Sequence, residues 1–520
     1  MKDNLFYRQT LPWLIALFVL SLCIRLPQLN RPLSKHHEFC TAVSITVLHN
    51  WWHTGIFNAH ATPLMSFSGK QNKWINNHAS SSGELHDENG NYYYISHPPF
   101  AYYLPYAVFC LLQQEPSVSG LKIMHLLLHF LSGLFIYFIV NLLSIRRARS
   151  QIFIPSYVAY AVYIFMPVTL WFQSNVYMSD MLVHTLFIIN IYTTLKFIIR
   201  ERFFNAKYIF FYSLCLFLMC FTSWLGYFFA ATVLVYAIWK LQYIKGFYML
   251  IILSVLMPAL ALGITLFTYS GPAGIDAVYH EYLARFAVRG THTSGNSIWS
   301  KLYSILSGIY QVIKNYGIHY ILVYIWLAFT GTFVATRGKM KFLFTRNGYR
   351  FLYLSIVCVI ALHLVFLEYS HHDFSVLYAS AFFSVLIGIL YDKLALSNRT
   401  NTVILRASIV FLIMGNIFLF YLMNWPGKTN LTGKPYNYAV KFGEAIQSIQ
   451  KNQSLAMASY YKPDASEIWY AKQNILHLKD DSYFSLEPDK NNNKPFLLFD
   501  YNAETCTAII KDTIFLNNIP

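Results

Sequence analysis

The sequence predicts an all-α polytopic membrane protein. It has about 11 transmembrane helices, a long first periplasmic loop carrying surface helices, and a small α/β C-terminal soluble domain. Three observations carry this expectation. Of 520 residues, 56% are hydrophobic and only 12% are charged, where a soluble domain carries about 25% charged residues. Eleven apolar runs approach the ~20 residues that a spanning helix needs. The short loops between them are basic, with Arg146, Arg147 and Arg149 in one and Arg337, Lys339 and Lys341 in another, as the positive-inside rule requires of one membrane face. The 43 Phe and 40 Tyr residues suit aromatic belts at both membrane surfaces.

The runs fall at 11–29, 120–143, 152–173, 177–199, 207–223, 225–243, 247–269, 316–336, 350–368, 374–392 and 403–424. Lys2 and Arg8 precede the first, as in a signal peptide. No small-residue cleavage site follows, so it reads as a retained helix. The stretch 98–113 is also apolar, but it is short and contains Pro98, Pro99 and Pro105. As a span it would turn the Arg146–Arg149 loop outward. As a surface or re-entrant helix it leaves Arg200, Arg202 and Lys207, then Lys240 and Lys245, Arg337 to Arg350, and Lys393 and Arg399 all cytoplasmic. The N-terminus is then inside and the C-terminus outside.

Three regions face outward: the loops 30–119 and 270–315, and the tail 425–520. The first begins with a helix from Phe39 to His53, whose Phe39, Val43, Val47 and Trp51 form one stripe. Its middle, Ser80 to Asn91, reads as turns. The tail alternates a helix near 436–451 with strand-like runs at Leu455–Ser459 and Phe496–Tyr501. The chain thus divides into a membrane domain, 1–424, and an extracytoplasmic α/β domain, 425–520. The net charge of +16 sits in short inter-helix loops and forms no arm or face, which excludes nucleic acid and favours membrane lipid. Cys23, Cys110, Cys215, Cys220 and Cys358 lie in apolar stretches, with no CxxC and no disulfide pattern.

Five constellations of ionisable residues fall on the outward face. His36-His37-Glu38 precedes the surface helix. A carboxylate there is stabilised as an anion by free N–H groups, and the imidazoles can tune it or share a metal; the plain alternative is a helix cap. His97, before Pro98-Pro99, is either held rigidly at the surface or incidental to a structural loop. Asp180 heads the fourth span, as a functional acid or as an N-cap. Glu281, Arg285 and Arg289 share one helical face, suited to bidentate phosphate binding or to a common i, i+4 ion pair. His371-His372-Asp373 forms a tight turn between two spans, a weak metal pattern but a plausible ligand for phosphate or a sugar hydroxyl.

On these residues the chain resembles the glycosyltransferase C superfamily, and is most similar to its protein O-mannosyltransferase and lipid A aminoarabinose transferase type. The resemblance covers about 1–424. His37-Glu38 stands where members carry an Asp-Glu pair. His97-Pro98-Pro99 matches the His-Pro-Pro loop, and Asp180 the acid opening the fourth span. Glu281, Arg285, Phe286 and Ala287 match a Glu-x-x-x-Arg-Phe-Ala segment. His371 to Phe374 occupies the polar turn that binds lipid phosphate.

The resemblance implies an inverting glycosyltransferase of the bacterial cytoplasmic (inner) membrane. Its donor is a polyprenyl-phosphate sugar and its acceptor a lipid, glycan or protein. Glu38 or His37 deprotonates or orients the acceptor, because His37 replaces the family's first acid. Asp180 assists, and Arg285 with Arg289, His97, His372, Asp373 and Glu281 binds substrate and phosphate. A divalent metal at His97 and His280 is also implied, although one expected ligand position reads Tyr282. The alternatives are a lipid-linked glycan polymerase or ligase on the same scaffold, and a lipid-linked sugar flippase. A flippase calls for polar groups deep in the spans.

Overall fold

The computed structural model describes residues 10–34, 36–67, 85–144, 154–199, 205–241, 246–290, 297–335, 345–395, 402–424, 436–450, 456–477, 495–503 and 505–515. The basic residues Arg146, Arg147, Arg149, Arg200, Arg202, Lys245, Arg337, Lys339, Lys341 and Arg399 lie outside them.

All eleven apolar runs contain helix. In chain order the helices are α1 (Leu11–Leu29), α2 (Phe39–Thr54), α3 (Phe100–Leu112), α4 (Val118–Leu143), α5 (Ile154–Ile164), α6 (Pro167–Asn175), α7 (Ser179–Ile199), α8 (Ala206–Cys220), α9 (Trp224–Lys240), α10 (Phe247–Arg289), α11 (Ile298–Ala335), α12 (Arg346–Val365), α13 (Ser380–Ala395) and α14 (Thr402–Met423). Among the described residues, eight helices are long and apolar enough to cross a membrane. One of the eight joins the 3-10 turn at Asp373 to α13. The pair α5 and α6, bent by 61°, makes a ninth. The two remaining runs are the shorter apolar helices α8 and α9.

The local sequence explains the starts and breaks. The side chains of Ser117, Asn205 and Thr345 accept hydrogen bonds from the N–H groups of Gly120, Tyr208 and Gly348 and so cap α4, α8 and α12. Met166 is extended because Pro167 follows it, and the ring then opens α6, which produces the bend. Two spans are central: 83% of the apolar window of α7 and 89% of that of Asp373–Ala395 is buried, against 28% for α1 and for α14.

One expectation is corrected. The region 270–315 is not an open loop between spans. Helix α10 runs 43 residues to Arg289, broken only at Gly274 (φ 83°), and α11 already begins at Ile298. At 1.5 Å per residue the part of α10 before Gly274 is already about 40 Å long, more than the ~30 Å hydrocarbon core. The second half of α10 therefore projects past the bundle and carries Glu281, Arg285 and Arg289 with it. The helix α2 packs against its neighbours on more than the one expected stripe, being covered from Cys40 to Leu48.

The first loop region packs as a layer over one end of the bundle. Besides α2 and α3 it holds a hairpin of β1 (Leu85–His86) and β2 (Tyr92–Tyr93). Its turn is held by Asp87 Oδ1, which accepts from the N–H groups of Asn89 and Asn91. The tail contains α15 (Tyr438–Gln450), β3 (Ala456–Ser459), α16 (Ala465–Ala471), β4 (Ile475–His477), β5 (Pro495–Asn502) and β6 (Thr507–Phe515). The sheet order is β4-β3-β5-β6, with β3 parallel to β4 and β5, and β6 antiparallel. Phe442, Ile446, Met457, Ile468, Leu497 and Phe499 form its core.

Candidate active site

The site forms where the start of α2, the start of α7, the projecting half of α10 and the turn before α13 meet. The segment His36-His37-Glu38 turns sharply into α2, and His37 adopts φ 60°, a left-handed conformation unusual for a residue with a side chain. Glu38 is fully buried. It is ion-paired with Arg31, and it accepts the N–H of Ser34 at 2.9 Å. Arg31 in turn stacks over the Trp171 ring.

His37 points elsewhere. Asp373 gathers three imidazoles: His36 Nε2 at 2.8 Å, His37 Nε2 at 2.9 Å and His319 Nε2 at 3.3 Å. The His37 ring lies 5.4 Å from that of His372, and His372 Nε2 accepts from Arg289 Nη1 at 3.0 Å. Burial, with His37 and Arg289 nearby, pushes the His372 imidazole down to about 3. Burial likewise lowers His37, against the opposing pull of its hydrogen bond with Asp373. Both rings are therefore neutral at pH 7.

Asp180 occupies the first turn of α7, where the unpaired N–H groups favour an anion. It is 1% exposed. The hydroxyls of Tyr369 and Tyr378 both donate to its Oδ1. His97 sits beside Tyr369, ring to ring at 6.0 Å. Its carbonyl accepts from Tyr269, and its Nδ1 lies 3.5 Å from Ser223 Oγ. Burial lowers its pKa too.

A cavity of about 290 Å³ opens against these groups, walled by His97, Tyr282, Arg285, Arg289, Tyr369 and Tyr378. Arg285 lies over the Tyr94 ring and is paired through Nε with Glu281, one turn earlier on α10. Its buried Nη2 has no hydrogen-bond partner among the described residues. The arrangement sets two guanidiniums and a neutral imidazole on one wall and a doubly hydrogen-bonded carboxylate behind two tyrosines.

This architecture has solved counterparts. Archaeal oligosaccharyltransferase AglB from Archaeoglobus fulgidus, in complex with an inhibitory peptide and a dolichol-phosphate, superposes with a TM-score of 0.55 at 11% identity over 91% of this chain. ArnT from Cupriavidus metallidurans bound to undecaprenyl phosphate gives a TM-score of 0.55 at 10% identity, covering 91% of this chain and 87% of that one. Its apo state gives 0.54 at 10% identity, covering 94% and 93%. The chain shares the fold of these solved membrane proteins. The chain spans 65% of the length of the archaeal protein. No family profile matches the sequence, and no curated protein matches it.

Within this fold, His37, His97, Asp180, Glu281, Arg285, Arg289, His372 and Asp373 come together at one end of the bundle. Glu38 is adjacent but engaged with Arg31. His97 and His280, the expected metal pair, are not brought together: His97 is buried and His280 is exposed. Metal-type donor groups form instead at His36, His37 and Asp373 and at His49, His53 and Glu115, each with ligand atoms within 4.8 Å of one another. Sequence reasoning missed His319, Tyr369 and Tyr378. The one available signal was a histidine near the end of an apolar run in Gly317-Ile318-His319-Tyr320. Nothing local marks the two tyrosines, because Asp180 lies 189 and 198 residues away from them.

Proposed function

We propose that the chain is an inverting membrane glycosyltransferase that moves a sugar from a polyprenyl-phosphate donor to an acceptor hydroxyl on a lipid, glycan or protein. We place it as a multi-pass protein of the bacterial inner membrane, with the N-terminus cytoplasmic and the C-terminal domain periplasmic. The basic inter-helix loops support that orientation. The fold it shares with proteins solved in complex with dolichol-phosphate and undecaprenyl phosphate supports the donor class. The observation that carries the reading is the cavity itself: Arg285, whose Nη2 has no hydrogen-bond partner among the described residues, and Arg289 line it together with Tyr369 and Tyr378, the two tyrosines that hold Asp180.

We assign the chemistry to these groups. Asp373 accepts from His37 Nε2, which leaves Nδ1 as the basic atom. That nitrogen takes the acceptor proton as the acceptor oxygen attacks the anomeric carbon. The bond from that carbon to the phosphate oxygen breaks, and the lipid phosphate leaves with the electron pair. A single displacement inverts the centre. Arg285 and Arg289 meet the charge developing on the phosphate, and Asp180 faces the positive charge developing on the sugar. Glu38 holds Arg31 and the entry to α2 in place.

The Nε2 atoms of His36 and His37 and the Asp373 carboxylate also suit a divalent cation. Bound there, it would lower the pKa of the acceptor hydroxyl in place of an imidazole base. Chelator treatment separates these routes, since an imidazole base survives it.

The test is transfer in detergent from a panel of undecaprenyl-phosphate sugars, read as release of undecaprenyl phosphate. Arg285→Ala and Arg289→Ala should each lower turnover by about 10²–10³-fold, the usual effect of removing one preorganised transition-state donor. Wild-type turnover in both variants would sink the reading.

A further inference from the structure

A second donor cluster lies away from the cavity, at the far end of α2. His49 and His53 stand one turn apart on that helix, their ring centroids 4.3 Å apart. Glu115 reaches them from the turn joining α3 to α4. Its Oε1 lies 3.1 Å from His49 Nδ1 and 3.1 Å from His53 Nε2. All three ligand atoms fall within 4.8 Å of one another. A tetrahedral zinc site with ligands at ~2.0 Å has ligand-to-ligand edges of about 3.3 Å, so two of the three edges are already close to that value.

We infer that His49, His53 and Glu115 form a zinc site that clamps the end of α2 to the α3–α4 turn. Two imidazoles at i, i+4 on one helix face and one carboxylate are a zinc-type donor set, and water completes the fourth position. The surroundings hold the first ligand in place. The His49 ring packs edge-on against Trp469 of α16 at 5.7 Å and against Phe67 at 5.9 Å. Lys472 lies over the same Trp469 ring, and its charge opposes a cation there. Binding therefore rests on the three ligands and not on a negative field. The clamp ties together α2 and the α3–α4 turn directly beneath the C-terminal domain. It also fixes the helix whose other end presents His37.

The inference does not depend on the proposed function. The test uses the full chain in detergent, stripped with EDTA and titrated with Zn²⁺ against a chromophoric chelator, with Co²⁺ as a spectroscopic substitute. The side chains of His53 and Glu115 are 45% and 54% exposed, so His53→Gln and Glu115→Gln should keep the fold, as circular dichroism would check. Each should weaken one zinc equivalent by more than about 100-fold, since even outer-shell partners change affinity by about 10–100-fold. His53→Cys should retain that equivalent and add a thiolate-to-cobalt band. His36→Asn should leave it unchanged, which separates it from the other cluster. Unchanged zinc affinity in both glutamine variants, or no zinc bound by the wild type at micromolar concentration, would overturn the inference. The cluster would then be a hydrogen-bonded His–Glu–His group only.

Discussion

At the scale of single residues, the site depends on how Asp180 and His97 are buried. Asp180 keeps its place in a nearly dry environment because two phenol hydroxyls donate to one of its oxygens. A hydrogen bond to a charged group contributes about 1.5–3 kcal/mol. Tyr369→Phe/Tyr378→Phe should therefore lower kcat by about 10–100-fold, with the fold retained by circular dichroism. Full turnover in the double variant would exclude Asp180 from the reaction. His97 gives a pH signature. Burial holds its folded-state pKa below the ~6.5 of an unfolded chain. Its contribution to stability is thus complete above pH ~6.5 and is lost as pH falls from there toward the folded value. The loss is up to about 1.4 kcal/mol per pH unit. The acid limb of a melting profile between pH 7 and 5 should flatten in His97→Gln, and an unchanged slope would contradict the assignment.

At the scale of elements, the helices were legible and their partners were not. Every apolar run folded as helix, because hydrophobic length is a local property. The proline-rich stretch 98–113 became the short helix α3, and the Pro167 break in the third run follows from backbone chemistry alone. The region 270–315 was misread for a physical reason. Past Gly274 the apolar density drops, and Glu281, Arg285 and Arg289 interrupt it, although these residues sustain a helix as well as any. The candidate site was legible as motifs on the matching face. The convergence of His36, His37 and His319 on Asp373 was not, because it joins positions 54 to 337 residues apart. Gly274 also yields a prediction. Its φ of 83° re-aims the second half of α10, and nothing lies within 4 Å of the place a Cβ would occupy. The cost of Gly274→Ala is then conformational, about 1–2 kcal/mol, with no steric clash. Turnover should fall more than melting temperature, since straightening the helix moves Arg285 and Arg289. Equal turnover in the variant would mean that the break does not position them.

At the scale of the whole molecule, the question is whether the tail and the membrane bundle act as one body. The contacts are buried, with Trp469 and Ala465 of α16 in the apolar core shared with α2. Tyr470 accepts the N–H of Leu33 at 3.1 Å, just before the His36-His37-Glu38 segment. Asn474 makes a paired contact with one residue of the first loop region, accepting the N–H of Phe67 at 2.9 Å and donating to its carbonyl at 3.2 Å. Both ends of that contact are out of water, and Asn474 is 1% exposed. Asn474→Ala would strand a backbone donor and a backbone acceptor, each at about 1–3 kcal/mol unless water enters. The loss falls at one junction of the tail, so the expected result is local detachment and not global unfolding. Hydrogen exchange should therefore speed up at Phe67, along α16 and at the His53 end of α2, while α7 and α13 keep their protection. If the tail also holds the start of α2 for catalysis, turnover falls in parallel with that exchange. Faster exchange with unchanged turnover would instead make the tail a separate module resting on the membrane domain.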